Sequence, residues 1–393
     1  MKKLFLILLF IPMSMVTAQT RMSPQTVALK NGGSFQIRIR TGYEVVPAAE
    51  GLKRVRFFAR SPDGRMFVTD MYNLTDNKRG AIYILDDFNP RSGKFGKVIP
   101  YMTGLRNPNS VQFYTDKAGQ DWIYIAETER LTRRKFRRGE ISPSDNSPQV
   151  VATFPDYGLN YKYGGWHLTR TVAFSPAGKL YVSVGSSCNS CVEKEANRAA
   201  ILEMNPDGSG SRIIAKGLRN AVGLKWIDGK LWATNQGSDH LGTNRPDETF
   251  YAVRAGADYG WPYCHSENGK ITADPKLRRR TGCRNVTKPD SIFPARSSAL
   301  GFDHFDDNAD DPAMRSTFLV SLHGSTNKKT GHGYKIVAMK MGRPSQDFIA
   351  GFLNRGSVYG RPCDIIRLDA NSFLFSDDHT GVVYYVRPKR ALY

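Results

Sequence analysis

What the chain lacks narrows the problem first. After Val16 no stretch approaches the ~20 consecutive apolar residues that a membrane-spanning helix needs, so no stable insertion is expected of the mature protein. Long segments of helical period are missing as well, which leaves an all-β class. Acidic residues are scarce against basic ones, 36 to 56, for a net charge of +20. No nucleic-acid motif accompanies the basic runs at Arg130 to Arg138 and Arg278-Arg279-Arg280. These therefore read as solvated loops, and nucleic acid is not an expected partner. Cysteine is sparse, with five in 393 residues. None follows the N-terminal apolar run, which argues against a lipoprotein. Cys188 and Cys191 form the single C-x-x-C, with neither a second copy for zinc nor a following His for haem attachment.

What is present begins with Lys2 and Lys3, an apolar run from Leu4 to Val16, and small residues at Val16-Thr17-Ala18. This is the pattern of a secretory signal over residues 1–18, which implies a periplasmic or secreted bacterial protein. An oxidising compartment suits the cysteines. Cys264 with Cys283 reads as a staple across one long insertion, Cys188 with Cys191 as a small loop bridge, and Cys363 is left over.

The remaining residues, 19–393, carry one repeating unit: an apolar strand, a tight turn, an aromatic-rich strand, a variable loop and a closing strand. Copies start at Val55-Arg56-Phe57-Phe58, Ser110-Val111-Gln112-Phe113, Thr171-Val172-Ala173-Phe174 and Val222-Gly223-Leu224-Lys225. A divergent fifth starts at Ala299-Leu300-Gly301-Phe302 and a sixth at Cys363-Asp364-Ile365-Ile366. Six units of roughly 60 residues suit four-stranded blades, and only a ring lets each blade bury both faces. The expected architecture is a single six-bladed β-propeller, with function at the end of the central channel where equivalent loops meet.

Polar clusters recur at equivalent points of the units. They are Gly164-Gly165-Trp166-His167-Leu168-Thr169-Arg170, Gly217-Leu218-Arg219-Asn220, Asn235-Gln236-Gly237-Ser238-Asp239 and Gly360-Arg361-Pro362-Cys363-Asp364. With Gly256-Ala257-Asp258-Tyr259-Gly260-Trp261-Pro262, His323-Gly324-Ser325 and Ser376-Asp377-Asp378, they give the mature chain a resemblance to the soluble glucose/sorbosone dehydrogenases. Those are six-bladed propellers that use pyrroloquinoline quinone (PQQ) with calcium.

The resemblance implies oxidation of a sugar, or of a sugar-derived alcohol or aldehyde, with electrons leaving to an external acceptor such as a quinone or cytochrome. It makes His167 the general base, which suits imidazole because its pKa lies near neutrality. It puts Arg219 and Asn220 against the quinone, where a fixed cation meets developing negative charge. Gln236 touches the quinone, and the backbone carbonyls of Gly237 and Ser238 ligate calcium. Asp247 and Glu248 are candidates for a second, structural calcium. Arg361 suits a cofactor carboxylate, since guanidinium grips one with two hydrogen bonds.

Departures accompany the likeness. Cys363 stands where glucose-oxidising members carry a second Arg, His323 where they have a cofactor-binding Lys, and Trp166 where an Asp precedes the base. His323-Gly324-Ser325 points to the sorbosone-type branch, yet Thr326 replaces an aromatic common there. The rival readings are a calcium-dependent propeller lactonase and a non-catalytic binding propeller.

Overall fold

The computed structural model describes residues 21–156, 167–325 and 327–389; the signal segment, Trp166 and Thr326 lie outside these. Within them the chain is almost entirely strand, with two short 3-10 turns. No helix among the described residues is long and apolar enough to cross a membrane.

Six antiparallel sheets follow one another along the chain. Their first strands are Val55–Arg60, Ser110–Thr115, Arg170–Phe174, Leu224–Ile227, Ala299–Phe305 and Pro362–Arg367. Each is followed by an antiparallel second strand: Met66–Asp70, Asp121–Ala126, Leu180–Val184, Lys230–Asn235, Thr317–Leu322 and Phe373–Asp377. The turns between them are local chemistry. Asp228 and Gly229, with φ of 48° and 73°, link Ile227 to Lys230 in the two-residue form whose twist matches paired strands.

Hydrophobic clusters show how the sheets are arranged. One joins Trp122, Tyr124 and Leu131 of the second sheet to Val172, Val182 and Leu202 of the third. Another joins Ala173, Tyr181 and Ile201 of the third to Leu224, Leu231 and Tyr251 of the fourth. The series continues between fourth and fifth, fifth and sixth, sixth and first, and first and second. Every sheet therefore buries one face on each neighbour, and the sixth meets the first. This is a closed six-bladed propeller.

Closure uses a segment that carries no repeat signature. Strand Tyr43–Ala49 pairs antiparallel with the last strand, Val382–Pro388, so the sixth blade is completed by the chain's beginning. Strands Met22–Ala28 and Ser34–Arg40 extend the fifth blade outward. On the axis, Phe57, Val222, Leu300 and Cys363 form a small apolar plug. Cys363 is thus fully buried, and burial pushes its thiol well above the usual range. It is an axial core residue.

Both cysteine pairs are bonded, Cys188–Cys191 across a four-residue loop and Cys264–Cys283 across the insertion of the fourth blade.

Candidate active site

All six first strands run the same way, so the residues just before them gather at one end of the channel, together with the residues just after the second strands. His167, Arg219, Asn220 and Arg361 belong to the first set; Gln236, His323 and Asp378 belong to the second.

His167 leads into Arg170–Phe174 with φ of 50°. Its Nδ1 lies 2.9 Å from the Ser186 carbonyl oxygen and 3.0 Å from Ser186 Oγ. A carbonyl only accepts, so Nδ1 carries the proton and the neutral ring's basic lone pair is on Nε2. Arg170 Nη1 donates to the His167 carbonyl at 2.7 Å, pinning the backbone beneath the ring. Gly185 lies against it: a Cβ there would fall 2.5 Å from His167 Cβ and 2.6 Å from Asn220 Oδ1. Only glycine lets these two side chains approach. Burial, and after it the Arg219 cation, hold the imidazole well below its ordinary value, so it is unprotonated at neutral pH.

Arg219 is 4% exposed. Its Nε donates to the Asn189 carbonyl at 2.9 Å and its Nη2 to Asn189 Oδ1 at 3.0 Å. Asn189 sits inside the loop closed by Cys188–Cys191, and its Oδ1 also accepts the Asp239 N–H at 2.8 Å. The Arg219 carbonyl accepts the Ser186 N–H at 2.8 Å. Ser186 in turn donates from Oγ to the Cys188 carbonyl at 2.7 Å. One small disulfide-closed loop therefore holds both the imidazole and the guanidinium.

Asn220 Nδ2 donates to Gln236 Oε1 at 2.9 Å, and Gln236 N–H returns to the Asn220 carbonyl at 3.1 Å. Beyond Gln236, Gly237 packs on Pro246, where a Cβ would come within 2.8 Å of the ring. Ser238 is buried, with Oγ accepting from Trp261 Nε1 at 3.0 Å. His167, Arg219, Asn220, Gln236, Gly237 and Ser238 are thus one connected surface.

Asp247 and Glu248 are not brought together. The Asp247 carboxylate accepts from Ser266 Oγ (2.7 Å) and from the N–H groups of Gly269 (2.9 Å) and Asn268 (3.1 Å). Glu248 turns the other way, accepting the Gly237 N–H at 3.2 Å, and burial raises its carboxyl to about 7. Neighbours on a strand point to opposite faces, so the two carboxylates lie on different sides of the strand.

Arg361 and His323 form a second group, across the fifth and sixth blades. Arg361 donates from Nε to the His323 carbonyl at 3.3 Å and from Nη2 to the Gly324 carbonyl, with its guanidinium 5.4 Å from the Tyr334 ring centroid. His323 Nε2 lies 2.8 Å from Asp378 Oδ1, and a carboxylate partner requires the proton on that nitrogen. Burial and the Arg361 cation push the His323 imidazole down to about 4. It is therefore neutral at pH 7.

Positive charge comes from residues that the motifs did not reveal. Arg56 Nη1 donates to Asp378 Oδ2 at 2.7 Å, and Arg54 Nη1 lies 3.1 Å from the same oxygen. Burial would raise the Asp378 carboxyl, but His323 and these two guanidinium groups hold it below the usual range. The signal was an Arg at alternate positions, 54 and 56, leading into the first blade.

A protein-family model described as TrAA12-like matches residues 37–350. The chain belongs to the TrAA12-like family. It is 25% identical over 378 residues to an uncharacterised protein of Borreliella burgdorferi, covering 89% of this chain and 90% of that one. The fold of this family member is shared by a Trichoderma reesei structure of carbohydrate-active enzyme family AA12. That match has a TM-score of 0.72 and 17% identity, covering 89% of this chain and 97% of the other. It is shared as well by the holo PQQ domain of pyranose dehydrogenase from Coprinopsis cinerea. There the TM-score is 0.71 at 19% identity, covering 90% of this chain and 97% of that domain. These matches agree with the resemblance read from the motifs, without separating a sorbosone branch from a glucose branch.

Proposed function

We propose that this TrAA12-like protein is an exported PQQ-dependent dehydrogenase that oxidises a CH–OH group of a sugar or sugar-derived alcohol. The observation that carries the reading is His167, whose proton is fixed on Nδ1 by Ser186 and whose ring is kept neutral beside a buried arginine.

The residues present fit a small planar polyanion with a calcium ion. Arginines 54, 56 and 361 supply cationic charge at one side of the channel end. Glycines 185 and 237 let His167, Asn220 and Pro246 pack closely where an added Cβ would collide. When bound, PQQ supplies an ortho-quinone that takes up a hydride. The rest is the protein's task. His167 accepts the substrate hydroxyl proton at Nε2, acting as general base. Arg219, immobilised on Asn189, keeps positive charge where negative charge develops, at no reorganisation cost during reaction. Gln236 and Asn220 orient one another and would hold the quinone, while the carbonyls of Gly237 and Ser238 would supply the hard oxygens that calcium prefers. Arg361 would hold a cofactor carboxylate, and His323 acts behind it by fixing Asp378. An external quinone or cytochrome would take up the electrons.

The test is reconstitution of the purified chain with PQQ and Ca2+, followed by aldose-dependent reduction of a redox dye. His167→Ala should bind the quinone normally yet turn over at least about 100-fold more slowly, the usual scale for losing a general base. Unchanged turnover in that variant contradicts the assignment, and lactone hydrolysis without dye reduction would point to a hydrolase.

A further inference from the structure

Outside this site, two imidazoles and a carboxylate converge beneath the loop 236–241. His240 Nε2 lies 2.8 Å from Asp274 Oδ2, and His265 Nε2 lies 2.6 Å from the same oxygen. The three ligand-type atoms all fall within 4.8 Å of one another. They come from separate segments: the 3-10 turn Asp239–Leu241, the strand Cys264–Glu267, and the residue following Lys270–Ala273. The Cys264–Cys283 bond staples the hairpin that carries His265. Asp274 is fully buried, and its Oδ1 accepts the N–H groups of Lys276 (2.8 Å) and Leu277 (2.7 Å), which aims Oδ2 at the rings.

We propose that His240, His265 and Asp274 bind one divalent transition-metal cation of the zinc type. Two nitrogens and one carboxylate oxygen are the donor set such an ion selects, whereas calcium takes hard oxygen ligands throughout. The carboxylate is oriented by backbone donors, the outer-shell support that metal ligands commonly carry. Ligands at ~2.0–2.1 Å from one tetrahedral ion stand about 3.3 Å apart, so the two ring-to-carboxylate contacts need lengthen by only about 0.5–0.7 Å to admit it. Three protein ligands leave a coordination position open, the pattern of an exchangeable site. His265 also lines a cavity of about 20 Å³ with Ser238, Trp261 and Ser266, room for one water. A bound ion would tie the insertion to the segment carrying Ser238 and Asp239, and so brace the loop that meets Asn189. The site does not depend on the redox reading above.

The experiment uses the untagged chain, stripped with chelator and titrated with Zn2+ by calorimetry and with Co2+ by visible spectroscopy. The expected results are one ion per chain, visible Co2+ ligand-field bands and a raised Tm. His265→Gln and His240→Gln should each weaken binding by at least about 100-fold, beyond the effect of outer-shell changes. Binding should persist in His167→Ala. Asp274→Asn is not relied upon, because Asp274 also caps a turn; His240→Gln leaves that cap intact. No saturable Zn2+ binding, full affinity in both His→Gln variants, loss confined to His167→Ala, or stoichiometric displacement by Ca2+ would each overturn the proposal.

Discussion

His167 is a base because of what surrounds it. Removal from water disfavours the imidazolium, and the buried Arg219 cation adds to the effect, so the ring stays neutral well into mild acid. The sign follows. A general base acts when unprotonated, so turnover should be flat through neutrality and fall only well below the ordinary imidazole value of 6.5. Arg219→Gln removes the second-largest cause and should move the acid limb upward, as pH–rate profiles of the two proteins would reveal. His323 obeys the same sign through stability. Its value is about 4 when folded against 6.5 when free, so the unfolded chain binds more protons between these limits. Stability is then lost as pH falls from about 6.5 to about 4, by up to about 3 kcal/mol. His323→Gln should flatten that slope in urea-unfolding midpoints. Asn189 shows how a residue outside any motif can matter: its carbonyl and its Oδ1 each accept one hydrogen bond from Arg219. Asn189→Ala removes the Oδ1 acceptor and leaves the carbonyl, and should lower turnover by about 10–100-fold, equivalent to one charged hydrogen bond, with quinone affinity nearly unchanged. A parallel loss of quinone binding would make Asn189 a general structural residue instead.

At the scale of elements, the strands dictated which residues were legible. Apolar runs with Asp-Gly or Pro-containing turns mark first and second strands because both are buried on two faces. That is why motifs adjoining them, at His167, Arg219, Gln236 and Arg361, could be placed at one channel end from spacing alone. The direction of a side chain leaves no such mark in the sequence. Asp247 and Glu248 are adjacent in sequence and opposed in space, and Cys363 faces the axial plug. Arg56 pairs with Asp378 from 322 residues away, and nothing local announces such a bond. The cluster of His240, His265 and Asp274 was hidden for the same reason, since its members meet only after the insertion folds back.

The whole molecule depends on ring closure by strand Tyr43–Ala49. Outward from the repeats this segment looks like an ordinary short strand, so the sequence offered no sign that it completes the sixth blade. Val45 there is 3% exposed, within the cluster shared by the fifth and sixth blades. Val45→Asp would bury an unpaired carboxylate and should cost about 3–5 kcal/mol. Because every blade relies on both neighbours, calorimetry should record a single transition displaced to lower Tm. Two separated transitions would mean that the blades melt independently.

The central claim is that one imidazole and several guanidinium groups, distant along the chain, converge to run a quinone-dependent oxidation. Its most direct measurement is dye reduction by the chain loaded with PQQ and Ca2+, in wild type and His167→Ala, with quinone binding followed separately by fluorescence. Aldose-dependent reduction that disappears in the variant while binding persists is the expected result. Failure of the wild-type chain to bind micromolar PQQ in the presence of Ca2+ would contradict the account and leave only the propeller.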